Sequence, residues 1–396
     1  MKSKLLKSVI YFLVFIGIIH LALVISGNTH LYKGVANTYL KGRTGPTIDE
    51  LEIFPYRTIQ TNYPEEWKKS VFYNRKTIDE SSQSYMDSLG SVALVIIKDD
   101  SIQFEQYWEN YSESTVSHSF SMGKTFISMA LGTCIMNDEI DSIQQPIYTI
   151  LPEYSEGLNR ELTPKDLIGM CSGMNFDEDY KNPFGFAAKA FYGEDLPGLI
   201  APYQVVQKPG VYFDYKSGNT QLLAFALEKA SGNTISQIIE ERIWKKINAE
   251  HDAYWILDRE DGHEKAFTGV YATARDYSRI GKLYMDGGFW KGNEVINPDY
   301  VFSSIRPLSL KNESNEPVQD YGYGWWLTEF KGKKVFYMRG IYGQYMICVP
   351  SQHLIITRLG RKRDEIKIGN HNKDLYFYLE LAQKLITSEE RRSNSE

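Results

Sequence analysis

A serine and a lysine stand three residues apart at Ser121-Met122-Gly123-Lys124, and this is the only Ser-x-x-Lys in the chain. On a helix, positions i and i+3 share one face, so the two side chains meet. A serine hydroxyl attacks a carbonyl only when a neighbouring base takes its proton. An amine kept out of water can be that base. The start of a helix adds positive potential where an oxyanion would develop. Average residue usage produces this spacing about once in a chain of such length, so the spacing alone does not make the pair catalytic.

The elements around the pair are consistent with a buried setting. Phe126, Ile127, Met129, Ala130, Leu131, Cys134, Ile135 and Met136 are apolar almost all round, as in a core helix. Just before it, the run Ser91 to Lys98 and the alternating run Ile102 to Trp108 flank Asp99-Asp100-Ser101, which predicts a β-hairpin. Thr163-Pro164 with Gly173 frames a short helix with an N-cap, a first-turn proline and a left-handed C-terminal glycine. An amphipathic helix follows Tyr215-Lys216-Ser217-Gly218-Asn219, and another covers Thr273 to Met285. Beyond it, Tyr321–Leu327, Val335–Met338, Tyr345–Val349 and Leu354–Leu359 read as β-runs, and Leu375–Ile386 as a closing helix. The expected fold is α/β of the α+β type. One antiparallel sheet is built from both ends of the chain and flanked by helices, with a mostly helical insertion at about 136–300.

The N-terminus carries a different signal. Lys2, Lys4 and Lys7 precede an apolar run from Val9 to Ile25, near the lower limit for crossing a bilayer. Two readings stay open: an uncleaved membrane anchor, which we favour, or a secretory signal ending near Ser26-Gly27. Either takes residues 86–387, the expected catalytic domain, out of the cytoplasm. Residues 28–85 read as a stalk or a wrapping arm, and 388–396 as a polar tail.

Composition narrows the chemistry. The 396 residues are 42% apolar and 14% aromatic, with 28 Tyr, enough for a sizeable core. A net charge of −6 and no basic patch argue against nucleic-acid binding. Cys134, Cys171 and Cys348 each sit in an apolar run and read as small buried hydrophobes. No histidine falls in a motif, and no Gly-x-Ser-x-Gly occurs, so a Ser-His-Asp triad on a nucleophile elbow is not supported.

Three pieces line up in order: Ser121-Met122-Gly123-Lys124, Tyr215-Lys216-Ser217-Gly218-Asn219, and Arg339-Gly340-Ile341-Tyr342-Gly343-Gln344. Over roughly residues 85–365 the chain resembles the class C-like serine hydrolases of the β-lactamase/penicillin-recognising superfamily, most of all the 6-aminohexanoate-dimer-hydrolase-like group. The resemblance implies that Ser121 attacks and Lys124 assists. It implies that Tyr215 shares a proton with both, and which of Lys124 and Tyr215 holds that proton is left open. It implies an oxyanion hole from the backbone N–H groups of Ser121 and Ile341. The family's Tyr-x-Asn has Ser217 at its third position here. Ser217 fills the asparagine's role, or Asn219 does, unless Asn219 is the N-cap of the next helix.

The third motif departs from the family. Met338-Arg339-Gly340 has no Lys or His at its first position, which argues against β-lactam recognition. Strand alternation turns Arg339 to the opposite face, leaving it solvated or at the substrate. Gly340 is expected to let substrate backbone approach. Trp255, Tyr342 and Gln344 are further candidates for the cleft wall, with core packing the plainer reading of each. The implied activity is hydrolysis of a small ester or amide through an acyl-enzyme, with no metal or other cofactor. The alternatives are a D,D-peptidase or weak β-lactamase, or a non-catalytic binding protein with the same fold.

Overall fold

The computed structural model describes residues 2–386; the polar tail expected at 388–396 lies outside the described residues. The chain divides into two compact units, Thr47–Phe176 with the chain from Tyr203 onward, and Met1–Pro46 with Asp177–Pro202.

The larger unit is organised on a seven-stranded sheet. Its strands run in the order Trp326–Phe330, Lys333–Gly340, Gln344–Val349, Leu354–Gly360, Ser91–Lys98, Ser101–Tyr107 and Lys68–Lys69. The two ends of the chain meet in the middle, where Leu354 pairs with Lys98 and Arg358 with Leu94, antiparallel. Asp99 and Asp100 both take positive φ, 50° and 59°, the geometry of the tight turn that suits the twist of a two-residue hairpin.

Ser91–Lys98 reads as unbroken apolar sequence because helices cover both faces. On one face Leu94, Ile96, Ile347 and Ile356 pack with Leu375, Tyr378, Leu379 and Ala382 of the C-terminal helix Lys373–Ile386. On the other lies Ala274–Met285, capped by Thr273. There Gly281 sits so close to the sheet that a Cβ would come within 2.6 Å of the Met346 sulfur. Each large apolar side chain buried this way contributes about 1.5–3 kcal/mol. The same helix is tied to the hairpin by Arg275, whose Nη2 pairs with Glu105 at 2.6 Å.

Residues 136–300 hold the expected helices and also four short strands, of which Phe289–Trp290 and Asn293–Glu294 pair with each other. Ala253–Ile256 and Val270–Ala272 form a small antiparallel sheet with Tyr56–Ile59 and Ser117–His118. Part of the stretch expected as a stalk or wrapping arm thus contributes strands to two sheets, since Lys68–Lys69 pairs in parallel with Ser101 and Ile102. Thr163 caps its helix as expected, in a capping box with Asp166, but that helix ends at Ile168 instead of running to Gly173. In the smaller unit, the helix Lys2–Ile25 is followed by His30–Asn37, Phe186–Tyr192 and Leu196–Ile200. Its stretch Lys4–Ile25 is long and apolar enough to cross a membrane, and none of that stretch is buried.

Candidate active site

The turn leading into Ser121 is built by the small sheet. Ser117–His118 is its edge strand, and the Ser119 N–H donates to the Val270 carbonyl at 2.7 Å. The chain then turns sharply. Phe120 takes φ 46°, a conformation that costs a non-glycine residue roughly 1–3 kcal/mol. Its surroundings hold it there. The Phe120 N–H donates to His118 Nδ1 at 2.8 Å, and its ring packs on His118 and on Tyr342. Burial lowers the His118 pKa to about 3, so the ring stays neutral and able to accept that bond.

Ser121 follows in a single 3-10 turn, and Lys124 lies in the first turn of the helix Gly123–Met136. Gly123 must be small, because a Cβ there would come within 2.7 Å of the Thr268 carbonyl oxygen. Lys124 is 1% exposed. Its Nζ donates to Ser121 Oγ at 3.1 Å and to the Phe267 carbonyl at 2.9 Å. Ser121 itself is only half-buried. The amine is therefore shielded from water while the serine hydroxyl stays partly accessible.

Tyr215 stands beside this pair. Its ring centroid is 5.1 Å from Lys124 Nζ. The ring is braced by Trp326 at 5.5 Å and, edge-on, by Tyr321 at 5.9 Å. Burial first, and then the neighbouring Tyr215, hold the Tyr321 hydroxyl well above its ordinary pKa. A cavity of about 170 Å³ is walled by Gly173, Phe176, Val206, Lys208 and the sequence neighbours of Tyr215, Asp214 and Lys216.

Two of the candidates after Tyr215 have structural surroundings. The helix begins at Ser217 with Lys216 as its N-cap, so Asn219 lies inside the first turn and is not the cap. Asn219 is 1% exposed and accepts from Ser172 Oγ at 2.6 Å, which ties the helix to the 170–174 loop. Ser217 is buried at the helix start.

The strand Lys333–Gly340 places two of the candidates. Gly340 is required by the protein's own backbone: a Cβ there would lie 2.3 Å from the Ser119 carbonyl oxygen. The glycine lets this strand press against the turn leading into Ser121. Arg339 is not turned away from the site. Its guanidinium lies 3.4 Å from the centroid of the Trp326 ring, the same ring that braces Tyr215, and it donates to the Asn370 carbonyl at 2.9 Å. Alternation does separate Arg339 from Met338, but Met338 is the one buried in the core.

Ile341 opens the turn Ile341–Gly343, in which Tyr342 takes φ 63°. Arg358, fully buried, holds this turn. Its Nη1 donates to the carbonyls of Tyr342 at 3.0 Å, Gly343 at 2.8 Å and Lys362 at 3.0 Å, and its Nη2 to that of Leu89 at 2.9 Å. Gln344 is buried and donates to the Ile341 carbonyl at 3.2 Å, so it clamps backbone. Trp255 is also buried, with its indole N–H on the carbonyls of Lys265 and Thr268.

Sequence reasoning missed Phe267, Trp326, Tyr321, His118 and Arg358. Phe267 acts through its carbonyl, which carries no residue-type signal. Trp326, Tyr321 and Arg358 are removed in sequence from the positions they support, and His118, though only two residues from Phe120, belongs to no motif. Only the Trp325-Trp326 pair beside glycine-rich sequence could have drawn notice.

The same architecture occurs in known proteins. A family model described as Beta-lactamase matches residues 78–379. The 6-aminohexanoate-dimer hydrolase of Paenarthrobacter ureafaciens is 24% identical over 287 residues, covering 67% of this chain and 71% of that protein. A solved structure from Bacillus anthracis, provisionally named a 6-aminohexanoate-dimer hydrolase, superposes with a TM-score of 0.72 at 18% identity, covering 84% of this chain and 91% of that one. A penicillin binding protein from Bacillus halodurans superposes at 0.59 with 17% identity, covering 77% and 99%. At these identities the solved structures share the fold.

Proposed function

This chain belongs to the beta-lactamase family of serine hydrolases, and from that premise we propose that it hydrolyses a small ester or amide with Ser121 as nucleophile and Lys124 and Tyr215 as proton carriers. The observation that carries this reading is the 3.1 Å contact from a buried lysine nitrogen to the hydroxyl of a half-buried serine. Lys124 and Tyr215 together accept the Ser121 proton as Oγ bonds to the substrate carbonyl carbon. The oxyanion that forms is held by the N–H groups of Ser121 and Ile341. The carbon–heteroatom bond then breaks, and the same pair returns the proton to the leaving group. Water, deprotonated by that pair, attacks the acyl-enzyme, and Ser121 recovers its proton.

Substrate choice is assigned to the far end of the cleft. Arg339, stacked on Trp326, supplies a cation beside Tyr215, and the cavity at Lys208 and Lys216 receives the rest of a small linear molecule. Ser217, Asn219 and Gly340 act behind this surface, as supports. With Met338 buried where β-lactam-recognising relatives place a cation, cephalosporins are expected to be poor substrates. The apolar N-terminal helix serves as a membrane anchor that leaves the catalytic domain outside the cytoplasm.

A fluorophosphonate probe tests the nucleophile. The full chain is expected to be labelled, and Ser121→Ala is expected to abolish labelling. Persistent labelling of a folded Ser121→Ala protein would remove Ser121 from the mechanism.

A further inference from the structure

The smaller unit joins two stretches far apart in sequence, the N-terminal segment and residues 177–202. The second is an excursion of the chain that begins directly after Phe176. It is fastened to the first helix beyond the apolar segment. The His30 ring Nε2 and the Pro183 carbonyl are 2.8 Å apart, and Lys33 pairs with Glu194 at 3.6 Å. Gly34 faces the Tyr192 ring so closely that a Cβ would touch it at 3.4 Å.

Chain length then limits where this assembly can be. Only residues 26–29 separate Ile25 from the helix His30–Asn37. Fully extended, that link reaches about 18 Å. It is shorter in fact, because the Ser26 and Asn28 N–H groups still bond back to Ala22 and Leu23. His20 Nδ1 and the Tyr32 hydroxyl, 2.9 Å apart, fold the second helix back against the first. Whatever holds His30–Asn37 is therefore held within the headgroup layer of a bilayer spanned by Lys4–Ile25.

The exposed side chains suit that layer. Tyr32, Tyr39, Leu40, Tyr180 and Phe184 are 46%, 62%, 78%, 60% and 54% exposed. Tyrosine, with an apolar body and a polar tip, concentrates at membrane–water interfaces. We propose that residues 177–202 and residues 30–41 form a contact surface for the membrane–water interface, with these side chains seated among the lipid headgroups. The proposal rests on the anchor reading given above. The excursion carries Asp177, Glu178, Asp179, Glu194 and Asp195 against Lys181 and Lys189. Ring insertion, and not attraction to anionic lipid, is therefore the binding force, and a zwitterionic surface suffices.

The test uses the full chain in phosphatidylcholine vesicles. An NBD fluorophore is placed on Phe184→Cys, on Tyr180→Cys or, as a control in the larger unit, on Phe302→Cys, which is 49% exposed. The native cysteines are buried and do not compete. Each variant is first checked for vesicle flotation and fluorophosphonate labelling. The labels at 184 and 180 are expected to shift to the blue and to be quenched by headgroup-level nitroxide lipid, unchanged by added salt. The label at 302 is expected to do neither. If 184 and 180 behave like 302 while the protein floats, the interface contact is wrong and the anchor stands. If the protein does not float, both fall.

Discussion

Lys124 and Tyr215 make different kinds of contact, and their substitutions should separate accordingly. Lys124 is buried and satisfies the Phe267 carbonyl as well as reaching Ser121. Lys124→Met is expected to lower kcat by at least about 10² and also to destabilise the fold by about 1–3 kcal/mol, because the carbonyl loses its partner. Tyr215→Phe keeps the ring against Trp326 and Tyr321. It is expected to lose a similar factor in kcat with an unchanged melting temperature. Near-normal turnover in either folded variant would exclude that residue from proton transfer. At this scale the sequence was most informative: the pair was legible at Ser121–Lys124 because helical spacing is a local property. Arg339 was left open between solvent and substrate because alternation reports which face a residue takes, and not which aromatic ring waits on that face.

Among the elements, the strand Lys333–Gly340 and the turn before Ser121 work as one piece. Their closest approach is at Gly340, against the Ser119 carbonyl. Gly340→Ala is expected to push the strand off the turn leading into Ser121 and so displace the Ile341 N–H, the oxyanion donor proposed above. A loss in kcat of at least about tenfold is expected, of the order seen when an oxyanion donor is disturbed, with secondary structure intact by circular dichroism. Full activity in that variant would show that the strand and turn need not touch. Long periodic elements such as Ser91–Lys98 and Ala274–Met285 were readable, since apolar pattern follows from which face is covered. The short strands Ala253–Ile256 and Val270–Ala272 were not. Three or four residues carry too little pattern to register, and their pairing with Tyr56–Ile59 and Ser117–His118 depends on distant chain.

For the whole molecule, buried histidines predict an acid limit to stability. Burial lowers the pKa of His118 to about 3 and of His371 to about 4, from an ordinary value of 6.5. Between these values the unfolded chain binds the protons and the folded chain does not. Stability is therefore full above about pH 6.5 and falls on acidification, by a few kcal/mol in all by about pH 4. Asp166 and Asp374, which burial holds above the usual carboxylate value, act in the opposite sense. The histidine contribution is isolated by comparing the wild type with His371→Asn. The variant's melting temperature is expected to fall less steeply below pH 6, and parallel profiles would refute the assignment.

The sequence by itself determined the pairing of Ser121 with Lys124, the order of the three motifs, the hydrophobic pattern of the central sheet and the apolar N-terminal helix. All of these are carried by spacing within one element or by family-wide chain order. Tertiary structure alone decided what those residues meet. It set Phe267 and Tyr215 around Lys124, laid Arg339 on Trp326, and bound the Ile341–Gly343 turn to a buried Arg358. It also joined residues 177–202 to the N-terminal segment. These contacts join positions tens to hundreds of residues apart. Local pattern is fixed by which side of an element is buried, whereas the identity of the neighbour is fixed only when the whole chain packs.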